Sequence, residues 1–292
     1  MSTRIRSDLT LLLASLVWGF AFVAQRVGME YVGPFTFTAV RFTLGCCILA
    51  PLLLFRKKYR FGQQTSLTAA EKRKVVIMQL LLGLVLFGGM SFQQWGIQFT
   101  TAGHTGFITG FYVVLVPIAS LFFGQKNHWS IWGGALLALT GLFFLSIRKD
   151  FTVNPGDYFV MICALFWTVH VMMVGYIAPR SDPVRTSVIQ FLICAVLSWI
   201  VVLGSETILL TALRQALWPI LYGGIMSVGI GYTLQIFGQQ KAHPAYASII
   251  LSLEAVFAVI GGWLILHEPL SARTLLGCGL MLSGMVLVQL RR

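Results

Sequence analysis

Ten apolar runs of about twenty residues follow one another along the chain, separated by short polar breaks. Roughly twenty apolar residues cross a bilayer as a helix. The pattern therefore predicts ten transmembrane helices, at Leu9–Met29, Pro34–Phe55, Val75–Gln94, His104–Phe123, Trp129–Ser146, Asp157–Ile177, Pro183–Leu203, Leu217–Gln239, Pro244–Leu266 and Ala272–Leu290. The longest connection, 56–74, is polar and basic. Arg4 and Arg6 ahead of the first run imitate a secretory leader, but many similar runs follow, so the first run is expected to be a retained helix.

Internal repetition decides how these helices are arranged. A shift of 149 lays Asp8 on Asp157, Trp18 on Trp167, Pro34 on Pro183 and Phe42 on Phe191. A shift of 142 lays Gln93-Gln94-Trp95-Gly96-Ile97-Gln98 on Gln235-Ile236-Phe237-Gly238-Gln239-Gln240, and a shift of 143 lays Gly134 and Gly141 on Gly277 and Gly284. The expected fold is an all-α membrane protein of two five-helix repeats, residues 1–150 and 151–292. Five is odd, so the second copy enters the membrane from the opposite side, and a pseudo-two-fold axis lies in the membrane plane. Carriers use this inverted arrangement to expose one midplane site to each side in turn, although some channels share it.

Composition agrees. Only 10% of residues are charged and 57% are hydrophobic, with a mean hydropathy of +0.83, whereas a soluble domain carries about 25% charged residues. The formal net charge of +12 is a topology signal, not a nucleic-acid footprint. Placing the N-terminus inside puts 15 of the 21 basic residues on the inner side, seven of them in 56–74, against Arg148, Lys149, Arg214 and Arg273 outside. Both termini are thus expected in the cytoplasm. Cysteines 46, 47, 163, 194 and 278 lie in apolar runs without metal or redox spacing. His267-Glu268-Pro269 lacks the second histidine of a zinc helix, and no phosphate-cradling Gly-rich loop ends in Lys-Ser/Thr. No enzyme activity, cofactor or metal is expected.

Ionisable groups inside hydrocarbon are expensive and mark candidate sites. Glu254 stands near the centre of the ninth helix, as a site for a cationic or amino group, as a proton carrier, or as a structural anchor satisfied by Arg41 or by neighbouring hydroxyls and amides. Arg41, whose repeat mate is Gln190, could clamp a substrate carboxylate, neutralise Glu254 or snorkel outward. Trp18 and Trp167, with His170 one turn beyond, read as cavity walls or as packing. Gln93 and Gln235 offer paired donors and acceptors. Thr101, Thr105, Thr109 and Tyr112, beside His104, form a polar stripe on the fourth helix that serves either a site or interhelical bonding.

Ala14-Ser15-Leu16-Val17-Trp18-Gly19, Leu115-Val116-Pro117, Ser252-Leu253-Glu254 and Leu266-His267-Glu268-Pro269-Leu270-Ser271 resemble the two EamA-type halves of the drug/metabolite transporter superfamily. The resemblance covers essentially the whole chain. It implies a secondary active transporter of the bacterial inner membrane, usually exporting amino acids, related metabolites or drug-like amphiphiles. Its partners would be a small-molecule substrate, the lipid bilayer and coupling protons. A passive facilitator is the alternative. Family members often carry Pro where this chain has Ala255, which removes the proline-based reason for a kink in the ninth helix.

Overall fold

The computed structural model describes residues 3–55, 67–99, 102–146, 155–267 and 270–290. Residues 56–66, Thr101, the side chain of His104, Arg148, Lys149, Glu268, Pro269, Arg291 and Arg292 lie outside them. Apolar runs become helices because in hydrocarbon only a helix or a closed barrel pairs every backbone N–H and C=O. The first three spans are α1 (Thr3–Gly28), α2 (Pro34–Phe55) and α3 (Ala69–Gly96). The fourth is a pair, α4 (Ala102–Thr109) and α5 (Tyr112–Phe122), and the fifth is α6 (Trp129–Ser146). α7 (Pro155–Ile177) and α8 (Pro183–Ser205) are the sixth and seventh. After the short α9 (Leu210–Gln215), the eighth span runs through α10 (Leu217–Leu221), a π-helical stretch Tyr222–Tyr232 and α11 (Thr233–Gln239). The ninth is α12 (Pro244–Leu251) and α13 (Glu254–Leu266), and the tenth is α14 (Ala272–Leu290). Among the described residues nine spans are long and apolar enough to cross a membrane, and the fifth is a shorter apolar helix.

Several elements differ from their sequence expectation: α1 begins at Thr3 instead of Leu9, α9 is an additional short helix, and three spans differ as follows. α3 starts at Ala69 instead of Val75, because Thr68 and Glu71 form a reciprocal capping box that holds two polar turns in the helix. The ninth span is broken without any proline. Leu253 N donates to Ile250 O at 3.2 Å and Ala255 N to Ser252 O at 3.1 Å, which tightens one turn to i→i−3 bonding. The fourth span tightens in the same place. Phe111 N donates to Ile108 O at 3.2 Å and Val113 N to Gly110 O at 3.0 Å, and each of these residues precedes its mate by 142.

The repeat is visible in space as residues that touch their own mates, which requires them to lie on the axis. The Trp18 and Trp167 rings are 6.4 Å apart and the Phe42 and Phe191 rings 5.8 Å. Tyr232 Oη lies 3.7 Å from Met90 Sδ, and Tyr112 Oη donates to Glu254 Oε1 at 3.1 Å. Where α6 packs on α14 the contact is reciprocal. Gly134 faces the Gly284 carbonyl and Gly141 faces the Gly277 carbonyl, so only glycine permits this approach.

The copies differ at one helix start. Asp182 accepts from Arg185 N at 2.8 Å and caps α8. Its mate is Gly33, and there Glu206, from the end of α8, reaches across to accept from Phe35 N at 2.9 Å and Thr36 N at 2.8 Å. A side chain at Gly33 would occupy the space that the Glu206 carboxylate fills.

Candidate functional site

A cavity with about 450 Å³ of empty space, open solvent included, lies on the axis. Six mate pairs line it: Trp18/Trp167, Phe22/Val171, Met90/Tyr232, Gln93/Gln235, Thr109/Leu251 and Tyr112/Glu254. The remaining lining residues, Ala21, Gln25, Arg41 and Ser227, have mates His170, Val174, Gln190 and Val85, none of which reaches the cavity. Ala21, Gln25 and Arg41 sit toward the ends of α1 and α2 joined by their connection, so the cavity leans to that side.

Its floor is aromatic. The Tyr232 ring is 4.8 Å from Trp18 and stacks at 5.9 Å on Trp167, with a 22° interplanar angle. Such surfaces hold flat or apolar solute bodies. Trp18 needs a missing side chain opposite it, which Gly231 supplies, whereas a Cβ at its mate Gly89 would meet Trp167 at ordinary contact distance. The π-helical stretch ends at Tyr232, and within it the Ser227 carbonyl accepts from Trp18 Nε1 at 3.3 Å. π turns of this kind concentrate at functional sites.

The polar groups converge on this floor. Glu254, 5% exposed, is the first residue of α13 and receives its bond from Tyr112, the first residue of α5. Discontinuous spans that bring site groups to the midplane are a feature of carriers. Arg41, 1% exposed, points Nη2 at Met90 Sδ, 2.7 Å away, with the Phe37 and Phe42 rings 5.2 and 5.3 Å from its Cζ. Arg41 and Glu254 both line the cavity but form no ion pair with each other. Gln93 Nε2 lies 3.5 Å from Thr109 Oγ1, and Gln235 Nε2 donates to Gln239 Oε1 at 3.0 Å, leaving Gln235 Oε1 without a partner. Gln25 Oε1 is likewise unbonded.

Seven of the eight residues expected at a site line this cavity. His170 does not. It stands behind the wall, its ring 5.3 Å from Trp167 and its Nε2 3.0 Å from Gln190 Oε1. Tyr232, Met90, Gln25 and Ser227 join the lining although sequence reasoning passed over them. For Tyr232 and Met90 the signal was available, since the 142 shift that pairs Gln93 with Gln235 also pairs them.

The model of the EamA-like transporter family matches residues 5–147 and 154–290. An uncharacterized transporter of Archaeoglobus fulgidus is 30% identical over 289 residues, 99% of this chain and 87% of its own. The uncharacterized transporter YoaV of Bacillus subtilis is 24% identical, over 96% of this chain and 95% of its own. The uncharacterized inner membrane transporter YedA of Escherichia coli is 24% identical, over 94% and 88%. A solved crystal structure superposes with a TM-score of 0.81 over 99% of this chain and 98% of its own at 20% identity, a likeness of fold.

Proposed function

Because the chain belongs to the EamA-like transporter family, a group of multi-pass membrane transporters, we propose that it is a secondary active carrier of small metabolites that works by alternating access about the axial cavity. One observation carries this reading. The cavity is built from mate pairs of both halves, yet its unpaired lining residues Ala21, Gln25 and Arg41 make it asymmetric, as expected of one of two interchangeable states. The two units that exchange are residues 1–150 and 151–292. The basic 56–74 loop and the other lysines and arginines assigned to the inner side support both termini lying in the cytoplasm of a bacterial inner membrane.

In this cycle Glu254 is the coupling group. It is the buried carboxyl of the cavity, and a proton or a cationic solute group can replace the Tyr112 hydrogen bond as its partner. Trp18, Trp167 and Tyr232 seat the solute body, and Gln93 and Gln235 orient it. Amino acids and related metabolites, or amphiphilic drugs, exported against a proton gradient are the proposed cargo. The test is purified protein in liposomes with an imposed pH gradient, challenged with amino acids and cationic amphiphiles. Gradient-driven accumulation that Glu254→Gln abolishes supports the reading. Flux that ignores both the gradient and the substitution marks a passive facilitator and overturns it.

A further inference from the structure

Arg41 is the feature of the cavity that coupling through Glu254 does not use. Its guanidinium has five N–H donors, and the protein offers them a thioether and two ring faces. Among the described residues Nε has no partner and no carboxylate pairs with the guanidinium; Glu254 accepts from Tyr112. A buried cation without an anion is costly to keep. The fold does not require it. At the mate position the second half has the uncharged Gln190, whose Oε1 lies 3.0 Å from His170 Nε2 while its own Nε2 has no partner among the described residues, and which does not line the cavity. The charge is thus present on one half and absent at its mate, and Arg41 is a cavity-lining residue. Gln25, with its unbonded Oε1, lines the same cavity and can accept from a hydroxyl or amino group of a solute.

We infer that Arg41 is an anion clamp, so that the solute carries a carboxylate or a comparable small anionic group, and purely cationic amphiphiles are not carried. This rests on the carrier reading for its setting and narrows the cargo that reading allows. The guanidinium meets a carboxylate through two parallel N–H donors, a geometry Lys cannot reproduce. Across the aromatic floor, Glu254 takes the proton-donating end of the same solute.

The experiment is thermal stabilisation of the purified full chain by matched pairs, leucine against leucinamide and benzoate against benzamide, with tetraphenylphosphonium as the pure cation. At least one carboxylate is expected to raise the melting temperature of the wild type while its amide does not. Arg41→Gln, which copies the repeat mate, is expected to weaken that carboxylate about tenfold and to erase the preference over the amide. Arg41→Lys retains part of it. In the empty protein Arg41→Gln raises the melting temperature, because an unpaired buried charge is removed, whereas a structural arginine would lower it. The clamp is overturned if amides or the cation stabilise as well as carboxylates, if no carboxylate stabilises, or if Arg41→Gln leaves the preference intact. Glu254-dependent transport of tetraphenylphosphonium would remove the clamp and leave the carrier. Carboxylate-selective stabilisation with no flux of any solute would do the reverse.

Discussion

Tyr112 and Glu254 occupy the same place in the two halves, and evolution of the pair has made one a donor and the other its acceptor. A hydrogen bond to a charged group contributes about 1.5–3 kcal/mol. Tyr112→Phe keeps the ring and removes the bond, so transport is expected to fall about tenfold or more and the melting temperature to fall as well, measured by initial rates in liposomes and by calorimetry. At this scale the sequence is legible where chemistry and environment clash. A carboxyl or a guanidinium in hydrocarbon stands out against an apolar run, so Glu254 and Arg41 could be singled out. Tyr232 and Met90 are ordinary membrane residues, and only their place relative to the repeat gives them meaning. His170 shows the converse. Helical spacing put it on the Trp167 face, but which residues of a face meet the cavity depends on the packing of the other helices, and that is not encoded in one helix.

Among the elements, the spans were legible because hydropathy sets their lengths. Pro34–Phe55, Trp129–Ser146 and Leu217–Gln239 have the ends expected of them. The polar start of α3 was missed by hydropathy, although Thr68 and Glu71 carry a readable capping signal. The breaks at Gly110-Phe111 and Ser252-Leu253 were not legible, because they come from a one-turn change of hydrogen bonding that no proline announces. Two glycines separate packing from permissiveness. Gly231→Ala drives a methyl into the Trp18 indole and is expected to cost about 1–3 kcal/mol and to slow transport. Gly279→Ala meets open space in α14 and is expected to be neutral, or to stabilise by up to about 1 kcal/mol. Denaturation of both variants in one detergent checks the contrast.

The whole molecule is two copies that have divided labour. Architecture is shared: the α6–α14 glycine crossing, the paired breaks and the axial rings all obey the two-fold. Chemistry is not. Charge sits at Arg41 but not at Gln190, a carboxyl at Glu254 but not at Tyr112, and the cap of α2 comes from the other half through Glu206. Glu206→Ala removes two bonds from backbone N–H groups and is expected to destabilise by about 1–2 kcal/mol, loosening the join between α2 and α8. The repeat order and its odd helix count were readable from three nearly equal shifts. The direction in which the cavity leans was not, since the repeat itself treats both sides alike.

Counterflow tests the central claim most directly. Liposomes holding the wild type and loaded with unlabelled amino acids are diluted into a trace of the same labelled mixture at equal pH on both sides. Alternating access about one cavity predicts a transient internal accumulation of label above equilibrium, driven by exchange and lost in Trp167→Ala, which opens the aromatic floor. Monotonic equilibration with no overshoot would contradict it, because only a pore open to both sides at once moves labelled and unlabelled solute independently.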